Sequence, residues 1–266
     1  MSGDVLRTIV AAAKRSADER ARVADRVALE RAIAARPPDG AAFRASLAAP
    51  GIRVIAECKR RSPSRGILRA GYDPVAIAVS YAAAGAAAIS VLTEPTFFDG
   101  ALDHLRAIRS AVPTPLLRKD FNVVDHQILE AAACGADAVL LIVAALDDLT
   151  LKQLRELAIA LGLATLVEVH DAGELHRAID AGADVIGVNS RNLRTLQVDP
   201  SVLDELGAVI PRHVIAVAES GLKTSEDLRR LKARRYDAFL IGERFMGEPD
   251  PGAALAALRA SAEAAA

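Results

Sequence analysis

Eight short apolar runs, each followed by a longer segment with helical periodicity, occupy the chain from Gly51 onward. The runs lie at 52–57, 86–92, 115–118, 137–143, 164–168, 184–188, 214–218 and 237–241. Strands that are joined by helical segments rather than by hairpins must pair in parallel. Eight such units in about 215 residues match a closed α/β barrel better than an open doubly wound sheet. No GxGxxG follows the first run, which also disfavours the open sheet. The pattern therefore predicts a (β/α)8 TIM barrel.

A repeated pentapeptide supports closure of the barrel. Ala-Gly-Ala-Ala-Ala at 84–88, Cys-Gly-Ala-Asp-Ala at 134–138 and Ala-Gly-Ala-Asp-Val at 181–185 each lead into an even-numbered run, and 235–238 is where a degenerate fourth copy would fall. A spacing of roughly fifty residues is that of a βαβα quarter of a barrel. We predict that the glycine of each copy ends a helix in the left-handed conformation.

The first 48 residues precede the barrel pattern. Residues 3–36 have helical character, and Pro37-Pro38-Asp39-Gly40 ends it. We predict a helical extension, residues 1–48, packed on a single barrel domain that spans 1–266; a free interaction arm is the alternative. The apolar stripe that favours packing consists of Val5, Ile9, Val10, Val23, Val27 and Ile33.

Composition excludes several functional classes. Hydrophobic residues make up 52% of the chain, charged residues 25%, and the net charge is −1, so no overall field favours nucleic acid or an anionic membrane. No apolar stretch reaches the ~18 residues of a membrane span, and no secretory signal is recognisable. Cys58 and Cys134 form no CxxC pair, which favours a reducing, cytoplasmic setting.

The sequence contains no motif typical of a metal site or of a nucleophilic serine. The five histidines show no HxH or HExxH spacing, so we expect no metal site. No Gly-x-Ser-x-Gly nucleophile elbow is present.

Charged side chains follow the odd-numbered runs. Active sites of such barrels lie at the carboxyl ends of the strands, and each inward-facing layer takes side chains from alternate strands. We therefore expect Glu57, Lys119, Glu168 and Glu219 to share the top layer of the barrel, with Lys59 also at the end of strand one. Repulsion and burial should raise the pKa of at least one carboxylate, as acid–base enzymes require. A structural salt-bridge network is the alternative.

Glycines and a serine follow the last two runs. Loops after strands seven and eight commonly bind phosphate in these barrels, and here they contain Ser220-Gly221 and Gly242-Glu243, with Ser62 nearby in the first loop. The Glu243 side chain would have to turn away from an anion. Phe98 and Phe121 follow strands two and three, where they either hold an aromatic substrate or pack beneath loops.

Together, the strand ends resemble those of the indole-3-glycerol phosphate synthase family. The similar segments, in order, are 55–66 (Ile-Ala-Glu-Cys-Lys-Arg-Arg-Ser-Pro-Ser-Arg-Gly), 91–95 (Val-Leu-Thr-Glu-Pro) with Phe98, 117–121 (Leu-Arg-Lys-Asp-Phe), 166–169 (Leu-Val-Glu-Val), 188–193 (Val-Asn-Ser-Arg-Asn-Leu), 218–221 (Ala-Glu-Ser-Gly) and 241–243 (Ile-Gly-Glu). Seven segments in register over the whole barrel make the resemblance specific.

The resemblance implies a carboxy-lyase of tryptophan biosynthesis. It would close the ring of 1-(2-carboxyphenylamino)-1-deoxyribulose 5-phosphate, with loss of CO2 and water, as a monomer without a cofactor. The catalytic residues implied are Glu57, Lys59, Lys119, Glu168, Asn189 and Glu219. The substrate-binding residues implied are Ser62, Phe98, Phe121, Leu140, Arg191, Leu193, Ser220, Gly221, Gly242 and Glu243.

The resemblance also implies individual roles. Lys119 is similar to the general acid of ring closure, and Glu168 to the carboxylate that stabilises or deprotonates the iminium. Lys59, partnered by Glu57, resembles the lysine that meets the substrate carboxylate and assists dehydration. Other barrels remain alternatives: a phosphoribosylanthranilate isomerase, a tryptophan synthase α-like lyase, or a non-catalytic sugar-phosphate-binding barrel.

Overall fold

The computed structural model of the chain describes residues 4–264, and its centre is a closed barrel of eight parallel strands. The strands are β1 (Arg53–Cys58), β2 (Ala88–Leu92), β3 (Leu116–Lys119), β4 (Ala138–Ile142), β5 (Ala164–Val169), β6 (Val185–Asn189), β7 (Ile215–Glu219) and β8 (Ala238–Ile241). Each strand pairs with its neighbours in chain order, and β1 pairs with β8 to close the ring. The predicted (β/α)8 TIM barrel is confirmed.

Helices surround the barrel and extend it at the N-terminus. They are α1 (Val5–Val23), α2 (Arg26–Ala35), α3 (Gly40–Ala48), α4 (Pro74–Ala83), α5 (Pro95–Phe98), α6 (Leu102–Ala111), α7 (Asp125–Ala133), α8 (Asp148–Ala160), α9 (Ala172–Asp180), α10 (Ser201–Gly207), α11 (Ser225–Ala233), α12 (Glu243–Met246) and α13 (Pro251–Glu263). The side chains of Asp73, Asp147 and Asp171 accept backbone N–H groups and so begin α4, α8 and α9. No helix between residues 4 and 264 is long and apolar enough to cross a membrane.

Alternation of side chains along each strand divides the core into two layers. Val54 and Ala56 face outward and pack with Tyr81 of α4. Ile55 and Leu166 face inward and fill the barrel. Each buried aliphatic side chain stabilises the fold by about 1.5–3 kcal/mol. The barrel is therefore solid below its rim, and a site is possible only at an end.

The repeated glycines have the predicted backbone conformation. Gly85, Gly135 and Gly182 have φ values of 76°, 88° and 79°, each just after a helix. At the degenerate fourth copy, Arg235 takes the same conformation, with φ 77°, at the steric cost that a side chain carries there. The four copies are therefore structurally equivalent.

The helical character expected over residues 3–36 is divided between two helices in the part that the structure describes, residues 4–36. The helix ends at Val23, and α2 starts anew because the Asp25 side chain accepts the N–H of Ala28. Val23 and Val27 are 85% and 53% exposed, so they are not part of the packed stripe. The buried face of α1 consists of Leu6, Ile9, Ala13 and Ala17.

The extension packs against both ends of the barrel. At the carboxyl ends of the strands, α1 is fixed by ion pairs from Asp4 to Arg194, 2.7 Å, and from Arg20 to Glu130 of α7, 2.6 Å. At the opposite end, α3 begins with a hydrogen bond from Gly40 N–H to the carbonyl of Gly162, just before β5. Its Phe43 belongs to the interior core. The helical extension therefore covers the top and closes the bottom.

Candidate active site

A cleft of about 780 Å³ opens at the carboxyl ends of the strands and continues into a polar recess. All sixteen residues expected at the site line the cleft or the recess. They are Glu57, Lys59, Ser62, Phe98, Lys119, Phe121, Leu140, Glu168, Asn189, Arg191, Leu193, Glu219, Ser220, Gly221, Gly242 and Glu243. Residues from all eight strands and the loops that follow them thus meet in one place.

The charged groups from the odd strands lie close together, as the layering predicts. Lys119 Nζ lies 3.5 Å from Glu168 Oε2 and 3.8 Å from Glu219 Oε2. Lys59 forms an ion pair with Glu57. The carboxylates of Glu57, Glu168 and Glu219 belong to residues that are 3%, 1% and 1% exposed. Solvent therefore screens these charges little, and each one strongly affects its neighbours.

The shared position gives the three carboxyl groups different proton affinities. Burial and the charge of Glu168 raise the pKa of Glu219. Burial also opposes ionisation of Glu168, but the charges of Lys119 and His170 outweigh it and lower the pKa of that carboxyl. Glu57 has a lowered pKa because Lys59 and Lys119 likewise outweigh burial. One carboxyl with a raised pKa confirms the expectation for this cluster.

The ammonium group of Lys119 is held in its charged form. Burial favours loss of its proton, but Glu168, Glu219 and Glu57 outweigh burial and raise its pKa. At neutral pH the side chain is therefore a proton donor aimed into the cleft.

Gly187, on β6, makes the position of Glu219 possible. A Cβ atom at Gly187 would collide with the Glu219 carboxyl group and with the side chain of Leu166. Sequence reasoning missed this glycine, whose only signal is its place inside an apolar strand, where glycine commonly marks a close approach.

His170 is a second residue that sequence reasoning missed. It follows β5, and its Nε2 lies 3.3 Å from Glu168 Oε1. Its Nδ1 lies 2.9 Å from Glu174 Oε2, and its backbone N–H donates to the same oxygen. Burial lowers the affinity of the ring for a second proton, but the two carboxylates outweigh it and raise the pKa of His170 to about 10. Its position two residues after Glu168 was a usable signal, because residues i and i+2 share a face of a strand.

The recess beside the acid–base cluster is built from tight backbone turns. Ser220 and Gly221 both have left-handed φ values, 66° and 71°, a conformation that aims successive N–H groups into a concavity. A Cβ at Gly242 would collide with Glu57, so only glycine fits between that carboxylate and α12.

The Glu243 carboxylate turns toward two guanidinium groups. Its oxygens lie 2.6 Å from Arg65 Nε and 3.0 Å from Arg191 Nη2. We expected this side chain to turn away from a bound anion. The two arginines stabilise the carboxylate in its present orientation.

The other end of the cleft is apolar. The rings of Phe98 and Phe121 are 6.2 Å apart and inclined at 36°. Leu6 and Ile9 of α1 complete this end and were not among the expected site residues. Their signal was the apolar stripe of α1, which indicated burial but not the surface against which it packs. Among residues 4–264, no group of three metal-ligating side chains could hold a metal ion.

Comparison with known families accounts for this arrangement. A model of the indole-3-glycerol phosphate synthase family matches residues 6–258. The chain belongs to this family. The match confirms the expected resemblance and the synthase activity. It also confirms the enzyme class, a carboxy-lyase of tryptophan biosynthesis that acts on a small phosphorylated substrate. Among the alternatives, membership disfavours the isomerase, the α-like lyase and the non-catalytic barrel.

Curated relatives agree with the match. The chain is 50% identical over 222 residues to indole-3-glycerol phosphate synthase of Albidiferax ferrireducens, covering 84% of each chain. It is 48% identical over 248 residues to indole-3-glycerol phosphate synthase 1 of Streptomyces coelicolor, covering 93% of this chain and 91% of the relative.

Two solved structures support the fold alone. A thiamine phosphate pyrophosphorylase from Pyrococcus furiosus superposes with a TM-score of 0.60 at 20% identity, covering 80% of this chain and 96% of that one. KGPDC from Streptococcus mutans gives 0.63 at 15% identity, covering 81% and 99%.

Proposed function

We propose that the cleft converts 1-(2-carboxyphenylamino)-1-deoxyribulose 5-phosphate into indole-3-glycerol phosphate, releasing CO2 and water. The observation that carries the proposal is the position of Lys119, held between Glu168 and Glu219 in a cleft that is apolar at one end and polar at the other. A substrate with an aromatic ring at one end and a phosphate at the other matches that polarity.

The two ends of the cleft hold the two ends of the substrate. The carboxyphenyl ring lies against the apolar surface formed by Phe98, Phe121, Leu140 and Leu193. The phosphate lies in the recess, where it accepts hydrogen bonds from the backbone of Ser220-Gly221 and Gly242-Glu243 and from the Ser62 hydroxyl. Asn189 and Arg191, between the two ends, orient the substrate.

Ring closure requires an acid at the ribulose carbonyl. The aromatic carbon that bears the carboxylate attacks this carbonyl, and negative charge develops on its oxygen. Lys119 donates its proton there, and its low exposure makes the interaction stronger than it would be in water. The positive charge left on the ring nitrogen system lies beside ionised Glu168.

Loss of CO2 then restores the aromatic ring, and loss of water forms the pyrrole double bond. Lys59, which binds the substrate carboxylate, protonates the departing hydroxyl group, while Glu168 removes the proton from the adjacent carbon. Ionised Glu57 holds Lys59 in place through their ion pair, and solvent water returns the proton that Lys59 gives up. Glu219 supports Lys119. Every step is a proton transfer, the polar addition of the ring carbon to the carbonyl, or a heterolytic cleavage within the substrate, so we propose no cofactor.

Replacement of either central group tests these roles. We expect Lys119→Met and Glu168→Gln each to lower kcat by about a hundredfold or more, because each removes an acid–base group from the chemical step. Substrate affinity should change little. Fluorescence of the indole product reports turnover. Binding is measured by calorimetric titration with a substrate analogue whose ribulose carbonyl is reduced to an alcohol, so that ring closure is impossible.

Lys152→Met and Glu156→Gln are matched controls, because both residues are exposed on α8, outside the cleft. Both controls should have wild-type kcat. Turnover near the wild-type rate in a Lys119 or Glu168 variant would show that its role is misassigned.

We propose further that the chain acts as a cytoplasmic monomer in which residues 1–48 extend a single barrel domain spanning 1–266. Free, buried Cys58 and Cys134 suit a reducing compartment. The sixteen site residues come from one chain, so the proposed chemistry needs no second copy. Sedimentation at assay concentration tests the monomer, and a dimer would contradict it.

A further inference from the structure

The carboxylate of Glu168 is held by a different cation at each oxygen. Oε2 faces Lys119 Nζ at 3.5 Å, and Oε1 faces His170 Nε2 at 3.3 Å. Glu168 is only 1% exposed, so bulk water does not solvate the charge on its carboxylate. Lys119 belongs to the proposed acid step, whereas His170 lies outside the cleft lining and has no part in that step.

His170 is itself fixed from behind. Glu174, in the first turn of α9, accepts from both the backbone N–H and ring Nδ1 of His170, each at 2.9 Å. With Nδ1 engaged by a carboxylate, Nε2 points toward Glu168. The three side chains therefore form a carboxylate–imidazole–carboxylate chain that runs from the loop after β5 to the reaction centre.

We propose that His170, oriented by Glu174, is a positioning residue that keeps Glu168 ionised and directs Oε2, the oxygen beside Lys119, toward the substrate. The inference rests on the proposed role of Glu168 as the catalytic carboxylate. When Lys119 gives up its proton during ring closure, Glu168 loses the positive charge at Oε2. The imidazolium at Oε1 then keeps Glu168 in the form that can stabilise the iminium and remove the proton.

The electrostatic surroundings support a protonated ring. Within residues 4–264, the charged groups that face it are Glu168 from β5 and Glu174 from α9, and the ring is largely buried. The carboxylates in contact with the two ring nitrogens favour the imidazolium across the neutral range, while Lys119 lies beyond Glu168, on its other oxygen. Removal of the ring's charge should therefore raise the pKa of Glu168.

His170→Gln tests the proposal, because glutamine keeps an amide donor but carries no charge. We expect kcat to fall about tenfold, a part of the ~10²–10⁴-fold that a general base supplies, with KM nearly unchanged. We also expect the acid limb of the kcat–pH profile to move upward by about 1–3 pH units, the effect of one adjacent opposite charge. His213→Gln makes the same change at an exposed histidine before β7 and should have no effect.

Glu174→Gln is the second variant. It leaves the ring and an acceptor for the backbone N–H in place, but removes one of the two anions that hold the ring proton. The pKa of His170 should fall, so kcat should decline on the alkaline side at a lower pH than in the wild type. A merely structural role for the loop would lower the melting temperature but would move neither limb.

Two results would overturn the inference: a kcat for His170→Gln within twofold of wild type, or an acid limb that superimposes on the wild-type limb. Failure of the proposed function is distinguishable, because Glu168→Gln would then retain activity. A large loss in Glu168→Gln together with an unchanged His170→Gln rejects only the role of His170.

Discussion

At the scale of single residues, identical side chains acquire different chemistry from their surroundings. Glu168 and Glu219 end neighbouring odd strands and share Lys119, yet the first has a lowered pKa and the second a raised one. Burial raises and Lys119 lowers the pKa of both groups, but His170 and Asn189 also stabilise ionised Glu168, whereas the negative charges of Glu168 and Glu57 raise the pKa of Glu219. The neighbouring charges thus separate a carboxylate from a carboxylic acid at the same end of the barrel.

Gly187→Ala should disturb the Glu219 side of the cluster. The added methyl group would overlap the Glu219 carboxyl, so either the side chain or β6 must shift. We expect a loss of about 1–3 kcal/mol in the free energy of unfolding and a lower kcat. Urea unfolding and steady-state assays measure the two effects. Gly71→Ala is the matched control, because a Cβ there meets nothing within 4 Å; equal effects of both variants would contradict the prediction.

At the scale of elements, α1 is both a wall of the cleft and an attachment to the barrel. Its N-terminal half contributes Leu6 and Ile9 to the cleft. Its C-terminal half attaches through Arg20 to Glu130, which also contacts Arg118 at 3.4 Å. Arg118 is fully buried and donates to Asp120, next to Lys119 in the chain. A continuous set of ion pairs therefore connects α1 to the strand end that carries the proposed acid.

Arg20→Ala should loosen this attachment. It removes both hydrogen bonds, 2.6 and 2.9 Å, from a buried carboxylate, at a cost of about 1–3 kcal/mol in the free energy of unfolding. KM should rise several-fold, because Leu6 and Ile9 would cover the substrate less of the time. Thermal unfolding and steady-state kinetics test both expectations. Arg22→Ala, at an exposed arginine of the same helix, should leave KM unchanged, and a rise in KM there would point to a general effect on α1.

At the scale of the whole molecule, the buried carboxyl groups make stability depend on pH in two opposite ways. Glu57, Glu130 and Glu168 have pKa values below the ordinary 4.5, so their stabilising effect is complete above that pH and is lost as pH falls. Glu219 has a raised pKa, so its folded form keeps a proton that the unfolded chain releases above about pH 4.5. Its contribution to stability therefore declines as pH rises toward the raised value.

Glu219→Gln should remove that decline. Glutamine is neutral at every pH, so the melting temperature of the variant should change less than that of the wild type between about pH 5 and pH 8. Calorimetric scans across this range measure it. Glu205→Gln, at an exposed position on α10, should keep the wild-type slope; parallel slopes for Glu219→Gln and wild type would contradict the assignment.

Local chemistry was sufficient for much of the architecture and for the prediction that charged residues from the odd strands lie together. Apolar runs alternating with capped helical segments specify strands and crossover helices, and eight of them specify a closed barrel. Glu57, Lys119, Glu168 and Glu219 were predictable as neighbours, because strand alternation and the layering of barrels are periodic rules that a sequence obeys directly. The break at Asp25 was also present in the sequence as a capping residue, but it was outweighed by the helical character on both sides.

Only the tertiary structure decided the contacts that depend on distance in space. Three such contacts leave no periodic pattern in the sequence, because each depends on side chains far apart in the chain. They are the path of α1 across the barrel mouth, the space that Gly187 leaves for Glu219, and the rotation of Glu243 toward two arginines. The charge states belong to the same class. A carboxyl group has one ordinary pKa in every sequence, and burial beside particular cations and anions makes one glutamate an acid and its neighbour a base.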